Sequence, residues 1–326
     1  MNALRSWRRP LAVMVLIVVA LLAMASVLVW RYPYSLVRAE YTRQRLAVGL
    51  SLHEVEAGGH RWTYVERDGD RADAPTLVLL HGYTGSKENW YRLASELDRQ
   101  YRIVIPDLPG WGQSERKPGA DYGYAAQAAN VAAFIRTISD KPVVLVGHSM
   151  GGGIAAVVAA RYPDDVARVA LLDASGVRFK DNQFGIDVLA GKNPFGVTDA
   201  ASLERYLGIL FADRSARPAI PWPASKAVIA FRRGEGGFEQ SVLDRIGRSG
   251  ERFLPYDLAA DIREPALLLW CRQDQVIDAS AMAIFGARMP QARQVLLDGC
   301  GHMSLMEQPA AVAKAIQALI EKGQPR

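Results

Sequence analysis

The sequence predicts an α/β fold with a mostly parallel central sheet and helices on both of its faces. Short apolar, β-branched runs at 76–80, 101–105 and 143–146 alternate with helix-like segments, which is typical of a parallel sheet. Two alternating segments on either side of Gly58-Gly59 predict a β-hairpin that opens the sheet. The strand pattern then stops from residue 175 to residue 256, so we expect a helical cap between the sixth and seventh strands.

The N-terminal part of the chain predicts a membrane anchor. Residues 1–10 form a short basic segment, and residues 11–30 are an uncharged apolar run. A helix over that run would be ~30 Å long, which matches the hydrocarbon thickness of a bilayer. A cleaved signal peptide is the alternative, because residues 23–25 have the small-residue pattern of a cleavage site. The apolar run continues to Trp30, and this continuation favours an uncleaved transmembrane helix.

The remaining chain divides into three predicted parts. Residues 31–50 have an amphipathic pattern and predict a juxtamembrane segment. Residues 51–174 and 257–326 are expected to form the α/β core, and residues 175–256 form the cap. Prolines and three glycines in the cap (Gly234, Gly236 and Gly237) predict short helical pieces there. In the core we expect helices near 89–97, 124–138 and 310–321.

The central motif is G-x-S-x-G, formed by Gly147, Ser149 and Gly151 between a strand pattern and a helix pattern. A sharp turn with serine at its apex needs glycines on both sides, because a Cβ there would collide with the strand or the helix. The hydroxyl would then lie at a helix N-terminus, where developing negative charge is stabilised. An incidental glycine-rich turn is the alternative, so the other members of the site must decide.

An acid and a histidine follow in the order expected for an activated serine. Asp274 follows the strand pattern at 266–270, and His302 follows the one at 293–297. Since parallel strands end at one edge of the sheet, Ser149, Asp274 and His302 are predicted to meet there as a catalytic triad. Asp173 and Asp278 stay open as alternatives for the acid, whereas no other histidine follows the last strand.

The strand at 76–80 runs into a loop that predicts an oxyanion hole. The backbone N–H groups of Tyr83 and Met150 are expected to hold the negative oxygen of a tetrahedral intermediate. Other residues near the serine and in the cap are predicted to contact substrate: Gly82, His148, Phe184 and Phe211.

Several motifs resemble those of the α/β-hydrolase superfamily over nearly all of residues 51–320. They are Leu80-His-Gly-Tyr83, Asp107-Leu-Pro-Gly110, Gly147-His-Ser-Met-Gly-Gly152, Asp181-Asn-Gln-Phe184, Gln273-Asp-Gln-Val276 and Gly299-Cys-Gly-His302. Two of these motifs, Asp181-Asn-Gln-Phe184 and Gln273-Asp-Gln-Val276, together with the anchor, are similar to features of membrane-anchored monoacylglycerol lipases and bacterial inner-membrane phospholipase A-type lipases. Cys271 departs from the pattern, since these relatives usually carry glycine there.

The resemblance implies a membrane-anchored serine hydrolase of lipid carboxylic esters. Monoacylglycerol, lysophospholipid or phospholipid acyl esters would transfer their acyl group to Ser149 and then to water. It also implies an apolar acyl pocket beneath the cap and a catalytic domain on the periplasmic side of a bacterial inner membrane. A carbon–carbon bond hydrolase, a cofactor-free haloperoxidase and a non-catalytic ligand-binding module are the alternatives.

Composition and charge limit the classes of binding partner that we expect. The formal charge is +5 and the pI about 9.2, but the arginines are scattered without a run, so nucleic acid is not an expected partner. We see no phosphate loop and no metal-ligand cluster, so neither a cofactor nor a metal is expected. A homodimer is left open. Cys271 and Cys300 follow adjacent predicted strands, and either a disulfide or two buried thiols would fit there.

Overall fold

The structure is a computed structural model that describes residues 8–71 and 73–321. Its strands are β1 (Ser51–Ala57), β2 (His60–Arg67), β3 (Thr76–Leu80), β4 (Arg102–Pro106), β5 (Val143–His148), β6 (Val166–Leu172), β7 (Ala266–Cys271) and β8 (Arg293–Leu297). They form one eight-stranded sheet in the order β1-β2-β4-β3-β5-β6-β7-β8. β2 pairs antiparallel with β1 and β4, and all other pairs are parallel. The predicted mostly parallel sheet, opened by a hairpin, is confirmed.

Burial along the strands explains their sequences. Every residue of β5 and β7 is buried, as expected for central parallel strands covered on both faces. These strands therefore read as continuous apolar runs. The edge strand β1 alternates between exposed and less exposed positions instead. The carboxyl ends of β5, β6 and β7 consequently lie side by side at one edge of the sheet.

The helices belong to the N-terminal segment, the core and the cap. They are α1 (Arg8–Arg31), α2 (Tyr34–Ala47), α3 (Tyr91–Glu96), α4 (Tyr124–Ile138), α5 (Met150–Arg161), α6 (Gln183–Leu189), α7 (Ala200–Leu210), α8 (Ala224–Gly247), α9 (Leu254–Leu258), α10 (Ser280–Arg288), α11 (Ser304–Glu307) and α12 (Pro309–Glu321). α4 packs against α5 and α9, whereas α3 packs against α12. Helices α6 to α9 lie between β6 and β7, where the sequence predicts a cap.

Helix α8 differs from its prediction. It runs without a break across three glycines, Gly234, Gly236 and Gly237, so the short helical pieces expected there are wrong. A Cβ added at any of these glycines would meet no atom within 4 Å, which places them on an open side of the helix. On another side, Arg232 Nε and Glu239 Oε1 lie 2.8 Å apart and both side chains are buried. This ion pair spans the glycine segment and connects the two halves of the helix.

The N-terminal helices lie outside the core. α1 leaves large apolar side chains exposed, with exposed fractions of 67% at Leu16 and 79% at Trp30. α2 packs on the cap helix α8, and the ring centroids of Tyr34 and Phe231 are 5.4 Å apart.

The structure does not support the predicted anchor as a membrane-spanning helix. Within residues 8–71 and 73–321, no helix has both the length and the hydropathy needed to cross a membrane. A helix is present over the predicted anchor at 11–30, but its predicted passage through a bilayer is not shown. The larger part of the predicted basic segment, residues 1–7, lies outside the described residues, and so does the tail at 322–326.

Candidate active site

Ser149 lies at the turn between β5 and α5 with φ of 54°, a backbone conformation that non-glycine residues rarely adopt. A Cβ at Gly147 would stand 2.1 Å from the carbonyl oxygen of Gly151, and one at Gly151 would stand 2.3 Å from that of Leu80. Both positions therefore admit only glycine. The Ser149 N–H donates to the Leu172 carbonyl at 2.9 Å, which holds the turn against the end of β6.

The three predicted triad residues are brought together at the carboxyl edge of the sheet. His302 Nε2 lies 2.9 Å from Ser149 Oγ, and His302 Nδ1 lies 2.8 Å from Asp274 Oδ2. All three side chains are buried. The arrangement allows a proton to pass from the serine hydroxyl to the imidazole while a carboxylate faces the opposite ring nitrogen.

The surroundings of His302 and Asp274 determine the charge states of these two side chains. Burial lowers the pKa of His302, so its imidazole is neutral and able to accept a proton. Burial raises the pKa of the Asp274 carboxyl, and the N–H groups of Val276 and Ile277 oppose that rise. Those two groups donate to Asp274 Oδ1 at 2.7 and 3.0 Å, which leaves Oδ2 facing the ring. The carboxylate is thereby fixed in one orientation.

The loop after β3 approaches the serine closely. A Cβ at Gly82 would lie 2.9 Å from the Cβ of Ser149, so this glycine permits the approach. The next residue, Tyr83, lines the space around Ser149 together with Met150. Among the described residues, neither of their backbone N–H groups has an acceptor. Both predicted oxyanion donors are therefore free to bind an incoming oxygen.

Two further histidines support these loops. Burial lowers the pKa of His81 to about 4, so its ring is neutral. His81 Nδ1 lies 2.8 Å from the Gly82 carbonyl, and its Nε2 accepts the Leu108 N–H at 3.0 Å. His148 Nε2 lies 2.7 Å from the His302 carbonyl. His148 was predicted to contact substrate, but its ring faces the His302 backbone and is not among the residues that line the cavity.

Asp173 connects the loops that carry the acid and the base. It is buried at the end of β6 with φ of 46°. Its Oδ1 accepts the Cys271 N–H at 2.9 Å, and its Oδ2 lies 2.5 Å from Ser304 Oγ. Burial and the nearby charge of Asp274 raise the pKa of Asp173. Asp173 contacts neither ring nitrogen of His302, so the structure places Asp274 rather than this alternative beside the histidine.

A disulfide joins the same two loops. Cys271, at the end of β7, is bonded to Cys300, two residues before His302, and their Cα atoms are 5.3 Å apart. Asp274 lies three residues after Cys271. The bond therefore holds together the segments that carry Asp274 and His302.

We expect the double variant Cys271→Ala/Cys300→Ala to lose about 3–4 kcal/mol of unfolding free energy. The disulfide joins residues that are 29 positions apart, and its removal gives the unfolded chain more conformational freedom. Urea denaturation followed by circular dichroism measures this loss. Wild-type protein unfolded in the presence of dithiothreitol is the control and should show the same midpoint as the variant. An unchanged midpoint in the variant would contradict the expected contribution.

A cavity beneath the cap reaches Ser149 and holds about 650 Å³ of empty space, part of it open to solvent. Its wall is mostly apolar. Cap side chains that contribute to it include Phe179, Phe184, Val188, Leu189, Phe195 and Leu243. Of the predicted contact residues, Phe184 lines this space.

Phe211 was also predicted to contact substrate. The structure buries this residue but does not place it in the wall of this cavity. It ends helix α7, whose last turn packs against the loop of the histidine, where the Met303 N–H donates to the Leu210 carbonyl at 3.2 Å. Phe211 therefore fills the junction between cap and core.

Sequence reasoning missed other wall residues, among them Tyr124, Ser175, Val188, Ile246, Arg252 and Phe253. They come from α4, the start of the cap, and α6, α8 and the segment before α9. No local motif marks them, because they meet only when the cap folds over the sheet. The Val276 and Ile277 side chains also line the cavity, and their position directly after the predicted acid could have indicated this.

Comparisons with known proteins agree with this arrangement. Residues 75–309 match the family described as alpha/beta hydrolase fold. The chain is 27% identical to the monoacylglycerol lipase ABHD6 of Rattus norvegicus, over 90% of this chain and 88% of that protein. It is 28% identical to Lipase 1 of Psychrobacter immobilis, over 81% of this chain and 83% of that protein. A crystal structure of a membrane phospholipase A is 31% identical with a TM-score of 0.83, covering 95% of this chain and 98% of that chain.

Proposed function

Since the chain belongs to the alpha/beta hydrolase fold family and is a carboxylic ester hydrolase, we propose that it cleaves acyl esters of lipids through an acyl-enzyme on Ser149. The observation that carries the proposal is the hydrogen-bonded chain from Ser149 through His302 to Asp274. Ser149, the first residue of this hydrogen-bonded series, lines an apolar cavity. The expected substrates are monoacylglycerols, lysophospholipids and phospholipids.

The proposed reaction begins when Ser149 Oγ attacks the ester carbonyl carbon and its proton passes to His302 Nε2. The carbonyl oxygen becomes an oxyanion, which the Tyr83 and Met150 N–H groups bind. The protonated imidazole then gives its proton to the alcohol that leaves. A water molecule, deprotonated by the same ring, attacks the acyl-enzyme and releases the fatty acid. Asp274 stabilises the imidazolium that forms in each half of the reaction.

The apolar wall of the cavity supports recognition of the substrate through its acyl group. Phe179, Phe184 and Phe195 supply aromatic surface, and aliphatic residues form much of the remaining wall. An alkyl chain gains about 0.8 kcal/mol for each CH₂ group removed from water. A medium or long acyl chain would therefore bind here much more strongly than acetate.

Membrane attachment is part of the proposal. The exposed apolar side chains of α1 would be stabilised among lipid tails, and Trp30 and Tyr32 at its end have the character of interfacial aromatics. The Cys271–Cys300 disulfide supports an oxidising compartment such as a bacterial periplasm. The name of the similar membrane phospholipase A points the same way.

The test of the proposed activity is a substrate profile of the purified protein. Monoacylglycerols, lysophospholipids, phospholipids and nitrophenyl esters of increasing chain length would be compared, together with fluorophosphonate labelling of Ser149. We expect labelling and preferential hydrolysis of the longer acyl esters. A protein that takes up the label but cleaves none of these esters would contradict the substrate class.

We expect deletion of residues 1–30 to lower hydrolysis of lipid in vesicles by about tenfold or more, because membrane attachment raises the effective concentration of substrate at the site. Hydrolysis of a soluble short-chain nitrophenyl ester should stay close to that of the full-length protein. The deletion keeps α2, whose Tyr34 packs on Phe231 of the cap. Equal loss on both substrates would show that the deleted residues support the fold, and equal activity on vesicles would contradict a role in lipid access.

A further inference from the structure

Two arginines contact the same aromatic ring of the cavity wall. Arg252 lines the cavity and is half-buried, whereas Arg178 is exposed and lies between two wall residues in the sequence. Both guanidinium carbons lie over the ring of Phe253, at 4.3 Å for Arg178 and 4.5 Å for Arg252. Phe253 is itself part of the cavity wall. Among the described wall residues, Arg252 is the charged one.

These two side chains have no ionic partner in the described part of the chain. Four other arginines of the cap form ion pairs with carboxylates: Arg217, Arg232, Arg245 and Arg248. Burial and the charge of Arg178 both lower the pKa of Arg252, while Asp181 raises it without forming an ion pair. A guanidinium stays charged throughout the physiological pH range. Two neighbouring positive charges that form no ion pair among the described residues are therefore present beside the wall of an apolar cavity.

Resting on the proposed lipid-ester function, we infer that Arg178 and Arg252 bind the phosphate of a glycerophospholipid substrate. Guanidinium groups match phosphate oxygens with two parallel N–H donors, and such charge-assisted hydrogen bonds are stronger than neutral ones. In a phospholipid the phosphate is separated from the acyl ester by the glycerol carbons alone. A neutral monoacylglycerol has no group that could replace it. The pair would thus select phosphate-bearing esters over neutral esters with the same acyl chain.

The test uses full-length protein in nonionic detergent micelles and two substrates with one acyl chain, a monoacylglycerol and a lysophosphatidylglycerol. The measured quantity is the ratio of kcat/KM for the phosphate-bearing ester to that for the neutral ester. We expect this ratio to fall about tenfold in Arg252→Gln and further in the double variant with Arg178→Gln. Arg252→Lys, which keeps the charge but loses the fork of donors, should fall between these values.

The matched control is Arg205→Gln, which removes one exposed positive charge from the cap at a position outside the cavity wall. It should leave the ratio unchanged. An unchanged ratio in the double variant would overturn the inference, and so would an equal loss on both substrates, since that would assign the arginines to cavity shape. If the wild-type protein cleaves neither ester, the proposed lipid-ester function fails instead, which is a distinct outcome.

Discussion

Replacing Ser149 with alanine is expected to reduce ester hydrolysis by about 10⁵–10⁶-fold, because the acyl group then has no nucleophile to receive it. The fold should be retained. Among the described residues, the hydroxyl makes one hydrogen bond, to His302 Nε2, and its loss changes unfolding free energy by about 1 kcal/mol. Initial rates on a medium-chain nitrophenyl ester and thermal unfolding of both proteins measure the two effects.

Ser175→Ala is the matched control for this variant. Ser175 lines the same cavity, and its Oγ lies 2.7 Å from the Tyr124 hydroxyl rather than from an imidazole. Its removal should change the rate by less than about tenfold and leave fluorophosphonate labelling intact. Turnover by Ser149→Ala near the wild-type level, or persistent labelling of that variant, would remove Ser149 from the mechanism.

The sequence predicts the centre of this site well because each component belongs to a short local pattern. Gly147, Ser149 and Gly151 define a turn that only one backbone geometry satisfies, and the structure places it where the pattern does. Asp274 follows the buried apolar strand β7, and His302 follows β8, whose last three residues are apolar and half-buried; both strands could be recognised without knowing their neighbours. Parallel pairing then brings the ends of the strands to one edge. The positions of the three residues follow from strand order alone.

The cavity wall and the cap could not be predicted in the same way. Val188 and Leu243 come from two different helices, and nothing in either local sequence indicates that both line the cavity that reaches Ser149. The three glycines of α8 predict a break in the helix, but the buried pair of Arg232 and Glu239 joins its two halves. Arg232 and Glu239 lie within one helix, but Arg232 also donates to the Phe195 carbonyl at 2.9 Å, and this second contact depends on the folded cap. Local propensity was overridden by packing.

The cysteine pair shows a third limit. Two cysteines after adjacent strands fit either a disulfide or free thiols, because the choice depends on the approach of two loops. The structure brings Cys271 and Cys300 to a Cα–Cα distance of 5.3 Å and joins them. The sequence places Cys271 three residues before the acid and Cys300 two residues before the histidine. The disulfide therefore ties together the two loops on which the geometry of the triad depends.

Asp274→Asn is expected to lower kcat by about 10⁴-fold without unfolding the protein. Asp274 Oδ1 accepts two N–H groups, from Val276 and Ile277, so the amide oxygen of asparagine must stay on that side. The amide NH₂ then faces His302 Nδ1 and donates to it. This forces the ring proton onto Nε2, and Nε2 can then no longer accept the proton of Ser149. The loss should appear in kcat on every ester tested, with a small change in thermal stability.

Asp173→Asn is the control that separates this tautomer effect from the loss of a buried charge. Asparagine at this position can still accept the Cys271 N–H through its oxygen while its NH₂ donates to Ser304 Oγ. Both hydrogen bonds survive. Burial together with the charge of Asp274 already raises the pKa of this carboxyl, which favours its neutral form. We therefore expect a change in kcat of less than about tenfold. If Asp173→Asn were instead the inactive variant and Asp274→Asn remained active, the acid of the triad would be Asp173, and the proton path drawn through Asp274 would be wrong.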